Sequence, residues 1–260
     1  MEKTPELPVL LRLIDERSTA FRAAVASASS LDEQVPTCPE WTLFDLVRHL
    51  GGGQRYWAAT VAAGPAGTRL PKTPPETPRE REALLAWSAE SAKRLLSALR
   101  EAGPDRGCWT WWGPSESPQT SGAVARHQVH EAAVHTYDAQ TTLGAPQPLP
   151  DEVALDGVEE FLSTSCAWKG FWPHKPAAVD FHATEGRSWR LTLTADGARS
   201  TRLTPSAPAA VDDPDAATAS ARATARDLVL ALHGRIPLDS LTLTGDRALF
   251  DRLQAWDPEG

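Results

Sequence analysis

The chain is expected to fold as an α+β protein of two domains. An up-down four-helix bundle would occupy residues 1–147, and a smaller α+β domain with a mainly antiparallel sheet residues 148–260. Three observations predict this. Four long segments before residue 143 place apolar residues near a 3.6 period, the mark of amphipathic helices. Short segments after residue 176 alternate apolar and polar residues, the mark of half-buried strands. Between them lies the proline-rich "LGAPQPLP", and runs of helices followed by runs of strands make an α+β architecture.

The first helix runs from Leu7 to roughly Ala28, with Leu10, Leu13, Ile14, Phe21 and Val25 facing the core. The second follows Thr42, which with Asp45 has the form of a capping box and is the expected N-cap. Glycines 51 to 53 inside it are unusual, since each costs about 1 kcal/mol relative to alanine. Close approach of a ligand, a local break and tight helix packing all account for them. After the proline-rich "GPAGTRLPKTPPETPRE", a third helix covers about Arg79–Glu101, with Leu84, Leu85, Leu95, Leu96 and Leu99 as core candidates. The fourth spans about Ser121–Thr142 and stops before Gly144. The loop before it, "GCWTWWGPSESPQTSG", carries Trp109, Trp111 and Trp112, either to cover one end of the bundle or to wall a ligand pocket.

In the second domain a helix is expected over Asp151–Trp168, followed by strands in "AVDFHATE", "SWRLTLTA" and "STRLTPSA". Gly186 and the Asp196-Gly197 pair supply the turns. An acidic loop, "VDDPDAAT", then leads to a helix over about Ala219–His233, a short strand in "LDSLTLTG" and a last helix from Arg247.

Composition narrows the function. The chain is 41% hydrophobic and 23% charged, a globular balance, and no run approaches the ~20 apolar residues of a membrane span. The N-terminal stretch lacks the features of a signal peptide. Three widely spaced cysteines with no CxxC pair argue against a disulfide framework and for a reducing, cytoplasmic setting. Net charge is −8, and residues 151–260 hold 11 Lys/Arg against 17 Asp/Glu, so neither nucleic acid nor membrane is an expected partner. A monomer or small homo-oligomer is expected.

The chemistry concentrates in "RHQVHEAAVHTYD", residues 126–138. On a helix His127, Glu131, His135 and Asp138 share one stripe, whereas His130 lies about 100° away. Imidazole and carboxylate four apart can share one cation, and two such ligands plus a third from elsewhere make a catalytic type of zinc site with an open position. His49, mid-helix between Leu46 and Leu50, is the candidate third ligand, because facing bundle helices bring ligands together. The same spacing also serves ion pairs on ordinary helices.

"VPTCPEWTLFDLVRHLGG" followed by "RHQVHEAAVHTYDAQ" resembles the mycothiol-dependent maleylpyruvate isomerase family, and "ARDLVLALHGRIPLDSLTLTGDRALFDRL" is similar to that family's second domain. The resemblance implies a DinB-like bundle, a sterol-carrier-like second domain and an actinobacterial source, which the excess of 21 arginines over 5 lysines fits. It also implies a divalent metal, usually zinc, on His49, Glu131 and His135, and a catalytic or substrate-binding arginine, matched by Arg235. That arginine reads equally as a helix-end residue favoured by the helix dipole.

The chain departs from the family where Arg126-His127 replaces an Arg-Arg pair. His127 is therefore read as a supporting group beside the ligands or as drift, and Asp138 as the acceptor that orients His135. The implied cosubstrate is mycothiol, whose thiolate would add to a small electrophile in cis-trans isomerisation or S-transfer. A thiol-independent zinc hydrolase and a non-catalytic metal- or ligand-binding bundle remain as rivals.

Overall fold

The computed structural model describes residues 5–71, 76–167, 170–204 and 217–256. The chain divides into two compact units, Met1–Thr110 with Pro118–Leu149, and Trp111–Ser117 with Pro150–Gly260.

The first unit is a four-helix bundle of α1 (Leu7–Ser27), α2 (Leu43–Ala63), α3 (Arg81–Ala102) and α4 (Ser121–Thr142). Each start has a local cause. Pro8 occupies the first turn of α1, where its missing N–H costs nothing. Thr42 and Asp45 close a reciprocal capping box, with Asp45 N donating to Thr42 Oγ1 at 3.3 Å and Thr42 N to Asp45 Oδ2 at 3.1 Å. The Glu80 carboxylate accepts from the amides of Glu82 and Ala83 to cap α3. Thr120 does the same for α4 through Ala123.

α1 packs on α4 and α3, and α2 on α3 and α4. α4 is therefore buried nearly all round. Ala125, Ala132, Ala133 and Ala139 let neighbours approach it, and His127, His130, His135 and Asp138 are buried with them. The glycine run does not break α2. A Cβ on Gly51 would lie 2.2 Å from Trp87 Cζ3 of α3, whereas one on Gly53 would meet nothing within 4 Å. Tight packing accounts for Gly51.

The second unit carries a five-stranded sheet of β1 (Ala177–Ala183), β2 (Ser188–Thr194), β3 (Gly197–Leu203), β4 (Ala219–Ala223) and β5 (Thr242–Gly245), ordered β3-β2-β1-β4-β5. Three pairings are antiparallel and only β1–β4 is parallel. Helices α5 (Asp151–Phe161), α6 (Ala225–Leu232) and α7 (Ala248–Ala255) complete it. Trp189, Leu191, Leu193, Val179 and Phe181 from the sheet and Leu228 and Val229 from α6 are all buried.

Three details correct the sequence reading. The helix expected over Ala219–His233 is a strand, β4, followed by a helix of eight residues. "ASARA" has alanine-rich helical propensity, but its small side chains suit a buried strand against β1, and tertiary pairing overrides propensity. The hairpin turn is Ala195-Asp196, because Gly197 (φ +120°) already pairs with Thr194 as the first residue of β3. The helix expected to reach Trp168 ends at Phe161 and passes into a single π turn, Leu162–Cys166. Trp168 itself, and residues 211–216 of the acidic loop, lie outside the described residues. Among the described residues, no helix is long and apolar enough to cross a membrane.

Candidate metal centre

Two helices and one loop build the centre. α4 presents Glu131 and His135 one turn apart, and α2 presents His49 toward them. His49 Nε2 and His135 Nε2 each lie 3.7 Å from the same carboxylate oxygen, Glu131 Oε2. One donor atom from each of the three residues falls within 4.8 Å of the others, and this is the metal-competent cluster found among the described residues. Donors around one tetrahedral zinc, each about 2.0–2.2 Å away, are separated by about 3.4 Å. The carboxylate pairs are a few tenths of an ångström longer than this and the whole donor set spans up to 4.8 Å, so two imidazoles and one carboxylate would close on a single ion by side-chain shifts of about an ångström.

The centre sits at the rim of the bundle rather than in its sealed core. His49 has 43% of its side chain exposed, Glu131 29% and His135 7%. Leu46 and Leu50, on the adjacent face of α2, are buried in the hydrophobic core. A small molecule can therefore reach the ligands from the His49 side.

Electrostatics favour the ionised carboxylate. Burial alone would raise the Glu131 pKa, but the contact with His49 and the positive potential of the His127, His135 and His49 rings outweigh it. The group is held well below the usual carboxylate range.

Asp138, 0% exposed, places Oδ2 at 2.9 Å from His135 Nδ1. A carboxylate only accepts, so a ring proton sits on Nδ1, and Nε2 faces Glu131 Oε2. His127 lies 3.9 Å from the other oxygen, Glu131 Oε1, and its ring meets Trp57 edge-on at 5.9 Å. It borders the cluster without belonging to it. His130 is buried elsewhere on α4.

Two residues escaped the spacing argument. Trp41 packs its ring against His49 at 4.5 Å and His135 at 6.0 Å. Thr37 donates to Asp138 Oδ1 at 2.6 Å. Both lie in the loop before α2, where helical periodicity says nothing; the aromatic residue just ahead of the N-cap was the available signal.

The tryptophan loop divides. Trp109 stacks on Trp57 in the first unit, with centroids 6.3 Å apart, while Trp111 and Trp112 contact each other at 5.1 Å in the second. Arg235 lies in the second unit, in the turn that ends α6, where Gly234 takes φ +69° and the guanidinium donates to the His233 carbonyl at 2.7 Å. Cys108 is buried, which pushes its thiol up to about 11 despite the nearby Arg106, so it is no thiolate nucleophile near neutral pH.

The sequence model of the mycothiol maleylpyruvate isomerase N-terminal domain matches residues 11–140, and that of the MDMPI C-terminal domain matches residues 152–252. The crystal structures of the mycothiol-dependent maleylpyruvate isomerase and of a histidine-to-alanine mutant of it each align with TM-score 0.63 at 14% identity, over 93% of this chain and 93% of theirs. At that identity the likeness shows the fold. No curated protein matches the sequence.

Proposed function

The chain belongs to the mycothiol maleylpyruvate isomerase family, and on that premise we propose that it is a thiol-dependent enzyme. His49, Glu131 and His135 hold a divalent cation, zinc by the character of the donors, and mycothiol is the thiol cosubstrate. The observation that carries the reading is the convergence of two imidazole nitrogens on one oxygen of Glu131, each at 3.7 Å. A bound divalent cation would supply Lewis acidity, favouring a thiolate over a thiol at neutral pH.

The protein's own residues do the rest. Asp138 keeps the His135 proton on Nδ1 and so keeps Nε2 free to donate. Glu131, ionised, would neutralise part of the cation's charge, which two neutral imidazoles leave in full. The half-exposed His49 marks the side open to small molecules.

The reaction this supports is isomerisation of a cis-enedioyl acid. The thiolate sulfur bonds to one alkene carbon as the π electrons move onto the conjugated carbonyl. The carbon–carbon bond, now single, rotates. The electron pair returns, the carbon–sulfur bond breaks, and the trans acid and the thiolate leave. Arg235 is proposed to pair with a substrate carboxylate, a role its fork of donors suits.

The test is metal analysis of protein purified without chelators, expected to give close to one zinc per chain. His49→Ala and Glu131→Ala should each abolish binding, and metal retained in both variants would refute the ligand set. With metal-loaded protein, mycothiol should support conversion of maleylpyruvate to its trans isomer without net consumption of thiol. Consumption of one thiol per product would make the protein an S-transferase instead. Cleavage of the substrate by water without thiol would make it a hydrolase.

A further inference from the structure

We propose that Thr37 is a positioning residue for this centre, acting on His135 through Asp138; the inference rests on the metal reading above. The loop that carries Thr37 is closed by its own hydrogen bonds. Val35 N donates to Trp41 O at 2.9 Å, Cys38 N to Val35 O at 3.0 Å and Trp41 N to Cys38 O at 2.8 Å. The Gln34 side-chain amide donates across it to the carbonyls of Pro39 and Trp41 at 2.6 and 2.7 Å. Pro36 and Pro39 each fix a backbone φ within it. It is a preformed element that meets both histidine ligands through the Trp41 ring and meets Asp138, which holds His135, through the Thr37 hydroxyl.

That hydrogen bond has a specific job. Asp138 accepts from His135 at Oδ2, 2.9 Å away, with the Cys38 thiol a weak donor to the same oxygen at 3.9 Å, and from Thr37 at Oδ1, 2.6 Å away; it is wholly buried. The last torsion of an aspartate is soft and nearly two-fold, so one anchored oxygen does not fix the plane of the group. The Thr37 hydroxyl anchors the second oxygen of this buried carboxylate. With both oxygens held, the His135 ring has one tautomer and one orientation, and Nε2 points to Glu131. Thr37 touches neither the cluster atoms nor the space beside them, so its effect is on ligand geometry.

The experiment compares Thr37→Val, nearly isosteric but without the hydroxyl, with Thr37→Ser, which keeps it. Two readouts are taken. Zinc affinity is measured by competition with a chromophoric chelator. The His135 tautomer is read from ring 15N shifts in the metal-free protein at pH 8. Loss of an outer-sphere partner costs roughly 10- to 100-fold in metal affinity, and a group one bond further out should cost about tenfold. The valine variant is expected to bind zinc about tenfold more weakly and to show a mixed tautomer, with the serine variant within about twofold of wild type.

A residue that merely tied the loop to α4 would lower stability and leave both readouts unchanged. Wild-type affinity and a single Nδ1–H tautomer in the valine variant therefore overturn the proposal. If the wild-type chain bound no zinc, the metal reading would fall, and the tautomer measurement alone would still decide for or against Thr37. Should the valine variant not fold, Thr37→Ala, which adds no new contact, takes the same two measurements.

Discussion

Gly51→Ala and Gly53→Ala, two residues apart in one helix, should have unequal effects on stability: a gain at Gly53, and none or a loss at Gly51. In an unhindered helix interior either change gains about 1 kcal/mol. At Gly53 the new methyl meets nothing within 4 Å, so that gain should appear in full. At Gly51 the methyl would lie 2.2 Å from Trp87 Cζ3 and 2.8 Å from Cη2, against a normal carbon–carbon contact of about 3.5–4.0 Å. The Trp87 ring must then move by over about 1 Å, yet it is held under the Arg55 guanidinium, 4.8 Å from its centroid. Overpacking of this kind costs about 1–3 kcal/mol, which cancels or exceeds the helical gain. The two variants should therefore differ by about 1–3 kcal/mol, or roughly 2–12 °C in Tm at about 2–4 °C per kcal/mol. Differential scanning calorimetry of the metal-free proteins reads this directly. Equal stabilisation by both alanines would refute the packing account. Unchanged stability with lost zinc binding in Gly51→Ala would show instead that the glycine serves the metal centre.

Two further outcomes follow from the structure. Glu131 has a depressed folded pKa, so its contribution to the metal-free fold is fully present above the ordinary carboxylate value of about 4.3 and is lost as pH falls through the folded value. The urea midpoint of Glu131→Gln should accordingly lie below wild type at pH 6 and converge on it toward pH 2; a gap that widens on acidification would contradict the assignment. Asp180 of β1, largely buried, makes a bidentate pair with Arg190 of β2 at 2.7 and 2.8 Å. Asp180→Ala should destabilise the second unit by about 3 kcal/mol by leaving the guanidinium without its carboxylate, whereas loss of under about 0.5 kcal/mol, as for an exposed pair, would contradict this.

Local rules made much of the molecule legible. The four bundle helices follow from periodicity and caps, and the Thr42–Asp45 box and the Ser121–Thr142 helix stand where residue types alone placed them. The Glu131–His135 pair is a consequence of helical pitch. Strand β4 was harder to read, because the apolar positions of "ASARA" are all alanine, a strong helix former, and the segment becomes a strand where β1 offers a parallel partner.

By itself, then, the sequence determined the elements whose causes lie within one turn of helix or one hairpin, and the pair of α4 ligands that such a turn aligns. The sequence named His49, some eighty residues earlier, as a candidate partner of that pair, but tertiary structure set the 3.7 Å at which it meets the oxygen that His135 also faces. Tertiary structure also decided that Thr37 and Asp138, 101 residues apart, share a hydrogen bond. It decided too that Gly51 answers to the Trp87 ring of another helix. Such pairings depend on how helices pack across the bundle, and packing is set by the whole core rather than by any segment.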